Sequence, residues 1–170
     1  MTPSEIPGKV QLQEVAQICV VVNDLDKAMA RYWDEFGIGP WQVYTLEPPT
    51  LDNMTVHEKP QAYSMRLALA QAGALQWELI QPLTGPDIYS EFLAQHGEGI
   101  HHVSFSVADY DTALKTLQKR GVEVLMGGSW RGASYSYMGT EKSLGTIVEL
   151  VKLSPDFQMP PPEATYPPSA

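Results

Sequence analysis

The sequence predicts an α+β fold, two βαβββ modules in one chain, and three observations carry that prediction. The chain repeats itself: QICVVVNDLDKAM (residues 17–29) and HVSFSVADYDTAL (residues 102–114) share one pattern of residue types. Each copy is followed by several runs with strand character. Those runs cluster after each helix rather than alternating with helices, which disfavours a doubly wound parallel sheet, and the helices themselves disfavour an all-β chain.

Each copy opens with a polar residue and a short alternating strand, then reaches valine and a small polar turn. Asp24 or Asn23 in the first copy, and Asp109 in the second, are placed to accept the orphan amide hydrogens at a helix start. Leu25, Ala28, Met29, Tyr32, Trp33 and Phe36 recur at helical spacing. Gly37 and Gly121 are expected to end the two helices, since glycine tolerates the left-handed conformation there. In the first module WQVYTLEP, NMTVHEK, YSMRLALAQ and ALQWELIQP read as strands. In the second, VEVLMGG, SYSYMGT and GTIVELVKL do so, with Gly73 and Gly145 marking the turns before the last strands. The expected boundaries are an N-terminal extension over 1–14, module one over about 15–83, a linker over 84–98 holding a short helix in DIYSEFLAQH, and module two over about 99–153. The proline-rich tail 154–170 is expected to be extended or disordered, or to wrap over a neighbouring subunit.

Composition narrows the function classes. A net charge of −9 argues against nucleic acid, whose phosphates need a basic patch. No apolar run approaches the roughly 20 residues that span a bilayer, and the N-terminus lacks a signal-peptide pattern. One cysteine, Cys19, forms no internal disulfide, so cytoplasmic residence is expected.

The chemistry lies in polar residues that repeat. In register, Gln17 falls on His102, and Glu78 in LQWELI falls on Glu149 in TIVELV. Each glutamate stands between apolar neighbours, Trp77 and Leu79 or Val148 and Leu150, on the opposite face of its strand. A carboxylate inside a sheet is costly unless a cation or hydrogen bonds satisfy it. Taken singly, each such residue reads as a solvated edge glutamate or a structural histidine, and alternation points His101 away from His102. Repetition at matched places favours convergence of Gln17, Glu78, His102 and Glu149. One imidazole, two carboxylates and one amide oxygen suit a divalent metal such as Zn²⁺, Ni²⁺, Co²⁺ or Mn²⁺. Such a cation would polarise a carbonyl, and a nearby carboxylate would take the adjacent proton.

GEGIHHVSFSV, VVNDLDKAMARY, FGIGPW and GTIVEL resemble the vicinal oxygen chelate superfamily, and most closely its methylmalonyl-CoA epimerase-like branch. The resemblance covers about Val15 to Leu153. It implies a cupped, barrel-like mixed β-sheet around one metal, helices outside, modules paired within a chain or across a homodimer, and four ligands at Gln17, Glu78, His102 and Glu149. The epimerases usually carry His and Gln at the first two positions; Gln/Glu/His/Glu is similar to animal-type glyoxalase I. Of the two acid–base groups the epimerases use, one matches Glu149. The other falls near Gln61-Ala62-Tyr63, where no carboxylate stands; Glu58, His57 or Tyr63 are the substitutes.

The expected catalytic residues are therefore Glu149, Glu78 and Tyr63. Trp41, Tyr44, Ser104, Trp130, Tyr135 and Tyr137 are expected to line a substrate pocket. Arg66 and Arg131 are the obvious basic residues for CoA or glutathione, a thin supply for an anionic substrate. Some epimerase-like members racemise aromatic ketones such as isoflavanones. The expected activity is thus a metal-dependent epimerase or racemase acting next to a carbonyl, on an aromatic ketone or an acyl-thioester. The alternatives are a glyoxalase I-type lyase and a non-catalytic binder of aromatic compounds. A ring-cleaving dioxygenase is disfavoured, because only one histidine lies in the set.

Overall fold

A computed structural model describes residues 9–168. In chain order the elements are β1 (Leu12–Val21), α1 (Leu25–Phe36), β2 (Trp41–Leu46), β3 (Leu51–Val56), β4 (Lys59–Pro60), β5 (Ser64–Ala72) and β6 (Leu75–Thr84). There follow α2 (Ile88–His96), β7 (Gly99–Val107), α3 (Tyr110–Lys119), β8 (Val124–Trp130), β9 (Ala133–Met138), α4 (Glu141–Leu144), β10 (Ile147–Leu153) and β11 (Ala164–Tyr166). The helices start where short acidic side chains can cap them. Asp24 accepts from Lys27 N–H, Asp87 from Ser90 N–H and Asp109 from Thr112 N–H. Gly37 ends α1 in the left-handed region at φ 66°.

The strands form one mixed sheet in the order β11-β2-β5-β6-β1-β7-β10-β9-β8-β3-β4. Its centre is the antiparallel pair β1 and β7, flanked by β6 parallel to β1 and β10 parallel to β7. The two modules thus join within one chain. Their junction has local two-fold character. Ile18 pairs with Val103, and on either side Gln17 faces Ser104 and Cys19 faces His102. The α+β class with paired βαβββ modules is what the repeat predicts.

Three buried clusters divide the core. One lies on the inner face of the sheet and takes in Cys19, Val21, Leu67, Ile80, Met126 and Tyr137. A second lies behind module one under α1, around Leu25, Met29, Trp41 and Leu79. The third lies behind module two under α3, around Ala113, Met138 and Leu150. Ile88 and Tyr89 of α2 belong to the inner cluster, so the linker helix plugs one end of the cup.

Three features differ from the sequence expectation. β1 already begins at Leu12, inside the stretch read as an extension. β3 leaves its own module and pairs with β8 of the other, Leu51 opposite Trp130 and Val56 opposite Met126. Leu51 and Val56 thereby enter the inner cluster, burial they would lose on a free hairpin. The described part of the tail is extended, one of the two expected forms, but it returns to its own sheet: β11 pairs with β2, and Glu163 accepts hydrogen bonds from Thr45 N–H and Thr45 Oγ1, both at 2.8 Å. No helix among the described residues is long and apolar enough to cross a membrane.

Candidate metal centre and its cavity

Strand alternation puts the polar residues of four central strands on the concave face. In β1 and β7 these are Gln17, Cys19, His102 and Ser104. Glu78 of β6 lies beside Cys19, and Glu149 of β10 beside Ser104. Two rows result, one of Glu78, Cys19 and His102, the other of Gln76, Gln17, Ser104 and Glu149.

His102 is the meeting point. Its ring is fully buried, with Nε2 3.4 Å from Glu78 Oε2 and 3.6 Å from Glu149 Oε2. His102 Nε2 and Glu149 Oε2 have no hydrogen-bond partner. Two atoms each about 2.1 Å from one ion would stand about 3.0–3.4 Å apart at octahedral to tetrahedral angles. The Glu78 spacing lies at the upper end of that range and the Glu149 spacing about 0.2 Å beyond it, so the set fits a small divalent cation after a small inward movement. Cys19 adds a soft donor: its Sγ, a Glu78 oxygen and a His102 nitrogen all lie within 4.8 Å of one another.

The local electrostatics point the same way. Burial raises the Glu149 pKa; His102 opposes the rise, Glu78 adds to it, and the Ser104 and Tyr137 hydroxyls pull it back. Burial likewise pushes the Cys19 thiol well up, helped by Glu78 and Glu149. A cation among them would favour the charged forms of Glu149 and Cys19.

His101 touches the site too. Its Nδ1 lies 2.9 Å from His102 Nδ1, although alternation predicts that the two rings part. Tyr89 and Phe92 of α2 hold the His101 ring edge-on, each at 5.2 Å between centroids. Burial lowers the His101 pKa to about 3, with His102 adding and the Ile88 backbone opposing. His101 is therefore neutral.

The residues expected at the site divide into three groups. Gln17, Glu78, Ser104, Trp130, Tyr135, Tyr137 and Glu149 line one cavity of about 390 Å³, with His102 buried against its floor. Gln17 donates from Nε2 to Gln76 Oε1 at 2.6 Å, which leaves its own amide oxygen available. Tyr44 and Tyr63 are buried beside the cavity without lining it. Tyr44 stacks edge-on with Trp130, and the Tyr63 hydroxyl donates to Gly127 C=O and meets Tyr135 Oη at 2.7 Å. Burial raises the Tyr63 pKa, and the hydrogen bond with Tyr135 opposes the rise. Trp41 is a correction: it packs against Tyr32 in the cluster behind the sheet, because its strand turns that position to the convex side.

Four further residues at the site are not among those the sequence singles out. Cys19 and Gln76 carried a readable signal, since each lies two residues from a chosen position on the same strand face. Phe157 and Met159 of the tail also line the cavity, and nothing local announces that. The remaining walls are apolar: Leu46, Met65, Leu67, Leu69, Ile80 and Val151. No lysine or arginine is among the lining residues. Arg66 pairs with Asp26 at 3.1 Å, and Arg131 sits 5.9 Å over the Trp130 ring.

A cupped sheet of two joined modules, with a buried carboxylate–imidazole floor, defines a class. The chain belongs to the glyoxalase/bleomycin resistance protein/dioxygenase superfamily, whose family model matches residues 16–138. Among solved structures it is similar to a Streptomyces coelicolor methylmalonyl-CoA epimerase variant in complex with 2-nitronate-propionyl-CoA. That pair is 24% identical with a TM-score of 0.65, covering 88% of this chain and 100% of the other. The methylmalonyl-CoA epimerase of Mycobacterium tuberculosis is 20% identical with a TM-score of 0.65, over 89% of this chain and 95% of its own. At these identities the likeness shows the fold. A curated relative, the uncharacterized protein YqjC of Bacillus subtilis (strain 168), is 28% identical over 96 residues, 55% of this chain and 69% of its own length.

Proposed function

We propose that the protein is a metal-dependent epimerase or racemase that moves a proton on the carbon next to a carbonyl. The observation that carries this is the floor of the cavity. Two buried carboxylates from opposite modules converge on one imidazole nitrogen, and that nitrogen has no hydrogen-bond partner.

Gln17, Glu78, His102 and Glu149 would hold the ion, with Cys19 adjacent. The bound cation supplies charge stabilisation for a carbonyl oxygen whose neighbouring carbon loses a proton. The chain supplies the rest. Glu149, poised by burial to hold a proton, takes it from the carbon. Glu78, related to Glu149 by the local two-fold, would give its own carboxyl proton to the opposite face from the other module's side, which inverts the centre and leaves Glu149 holding the abstracted proton, ready for the reverse turnover. The apolar walls exclude water from the enolate. The pairing with epimerase folds supports this reading, and the lack of cationic lining residues favours an uncharged carbonyl compound over an acyl-thioester.

A second reading, capture of an apolar ligand without chemistry, draws on the same walls. Elemental analysis of the purified protein and of Glu149→Ala separates the two. The isomerase reading expects about one transition metal per chain, reduced in the variant. It also expects solvent deuterium to enter a ketone substrate about 10²–10⁴-fold more slowly with Glu149→Ala. A wild type that takes up no Zn²⁺, Ni²⁺, Co²⁺ or Mn²⁺ overturns the metal reading and leaves capture.

A further inference from the structure

β10 ends at Leu153 on module two, and β11 lies against β2 at the far edge of module one. Between β10 and β2 the sheet holds four strands, β7, β1, β6 and β5. The chain that leaves one and rejoins the other passes the hollow of the cup, since Phe157 and Met159 line its cavity. Both ends of the crossing are fixed. Ser154 N–H donates to Gly132 C=O at 2.9 Å, Phe157 N–H to Ser154 C=O at 2.9 Å, and Glu163 N–H to Val43 C=O at 2.9 Å. Pro160, Pro161 and Pro162 stiffen the span, which therefore stays extended with few amide hydrogens to satisfy.

Of this crossing, Phe157 and Met159 turn into the cavity, opposite the carboxylate floor. Two apolar side chains placed there do little for the core, because Met159 remains 39% exposed. They complete an apolar enclosure whose other walls include Leu46, Leu69 and Trp130.

We propose that residues 154–163 form a strap that roofs the ligand site, and that Phe157 and Met159 select a compact, uncharged aromatic or alicyclic carbonyl compound. This rests on the cavity being the substrate site of the preceding reading. The strap contributes Phe157 and Met159 to the cavity lining, and about 390 Å³ holds two fused or linked rings and little more. The roof offers methylene, thioether and phenyl surface, with no cation to meet a phosphate.

Isothermal titration with 4-chromanone and with propionyl-CoA tests this on the full chain and on a Phe157→Ala/Met159→Ala double variant. Thermal melting checks that the variant is folded. The expected result is chromanone binding by the full chain, weakened about tenfold or more in the variant at unchanged melting temperature, with propionyl-CoA bound more weakly than chromanone by the full chain. Equal chromanone affinity in both proteins overturns the strap's role. Chromanone that fails to bind, or propionyl-CoA bound as tightly, overturns the ligand class. Chromanone bound as expected while no ketone exchanges deuterium would sink the isomerase and leave the strap in place.

Discussion

The rings of His101 and His102 meet nitrogen to nitrogen at 2.9 Å, and one proton occupies that gap. If His102 donates it, its Nε2 is left as a lone pair aimed at the carboxylates, the form a metal needs. His101 → Phe keeps the aromatic packing against Tyr89 and Phe92 but removes the acceptor. Competition with a chromophoric chelator should show metal affinity about 10–100-fold lower in that variant. An unchanged affinity would mean that His101 only fills space. At this scale the sequence was informative where residues repeat in register. Gln17 and His102 share one place in the two modules, and Glu78 and Glu149 another. Its signal for Cys19 is weaker and lies in the strand face alone, because the counterpart is Ser104 and only the thiol of that pair looks like a ligand. Trp41 shows the limit of aromatic character as a signal, since it does not say which face of the strand the residue presents.

Among the elements, the turn between β3 and β4 is clasped from two sides. His57 there reaches Glu91 of α2 at 3.1 Å through Nε2 and Glu123, just before β8, at 3.3 Å through Nδ1. These partners raise the His57 pKa above its usual value, Glu91 most strongly, with burial opposing. A raised histidine pKa stabilises the fold fully below the unfolded pKa, and that contribution is lost as pH rises through the folded value. The melting temperature of His57→Gln should thus fall further below wild type near pH 5.5 than near pH 8.5. The gap should narrow in high salt, because all three side chains are about half exposed. A gap that does not change with pH would remove the ionic part of the clasp. The strands and caps of each module were legible from local pattern. The partner of β3 was not, since alternation tells which face is buried and not which distant strand supplies the neighbouring hydrogen bonds. The proline run likewise signals an extended segment without saying what it lies against.

For the whole molecule, the joining of β1 to β7 within one chain sets the stoichiometry. Every residue proposed to hold the cation belongs to the same polypeptide. A homodimer, if it forms, would therefore add no ligand, and metal affinity should be unchanged when the protein is diluted about a hundredfold, through any dimer dissociation. Affinity that collapses on dilution would place a ligand across a subunit boundary. The repeat made two modules legible, but the side on which they meet followed only from the register of Gln17 with Ser104 and Cys19 with His102.

The crossing of β3 onto β8 also bears on how the chain is made. Synthesis runs from the N-terminus, so β3 leaves the ribosome well before Val124–Trp130 exists to receive it. The outer edge of β2 waits longer still, until Ala164–Tyr166 has emerged. The nascent first half thus carries two unsatisfied strand edges, of the kind that recruit other chains. Charged and polar side chains at Asp52, Asn53, Glu58 and Lys59 stand on the β3 side, where they discourage such pairing until Val124–Trp130 arrives to cover it.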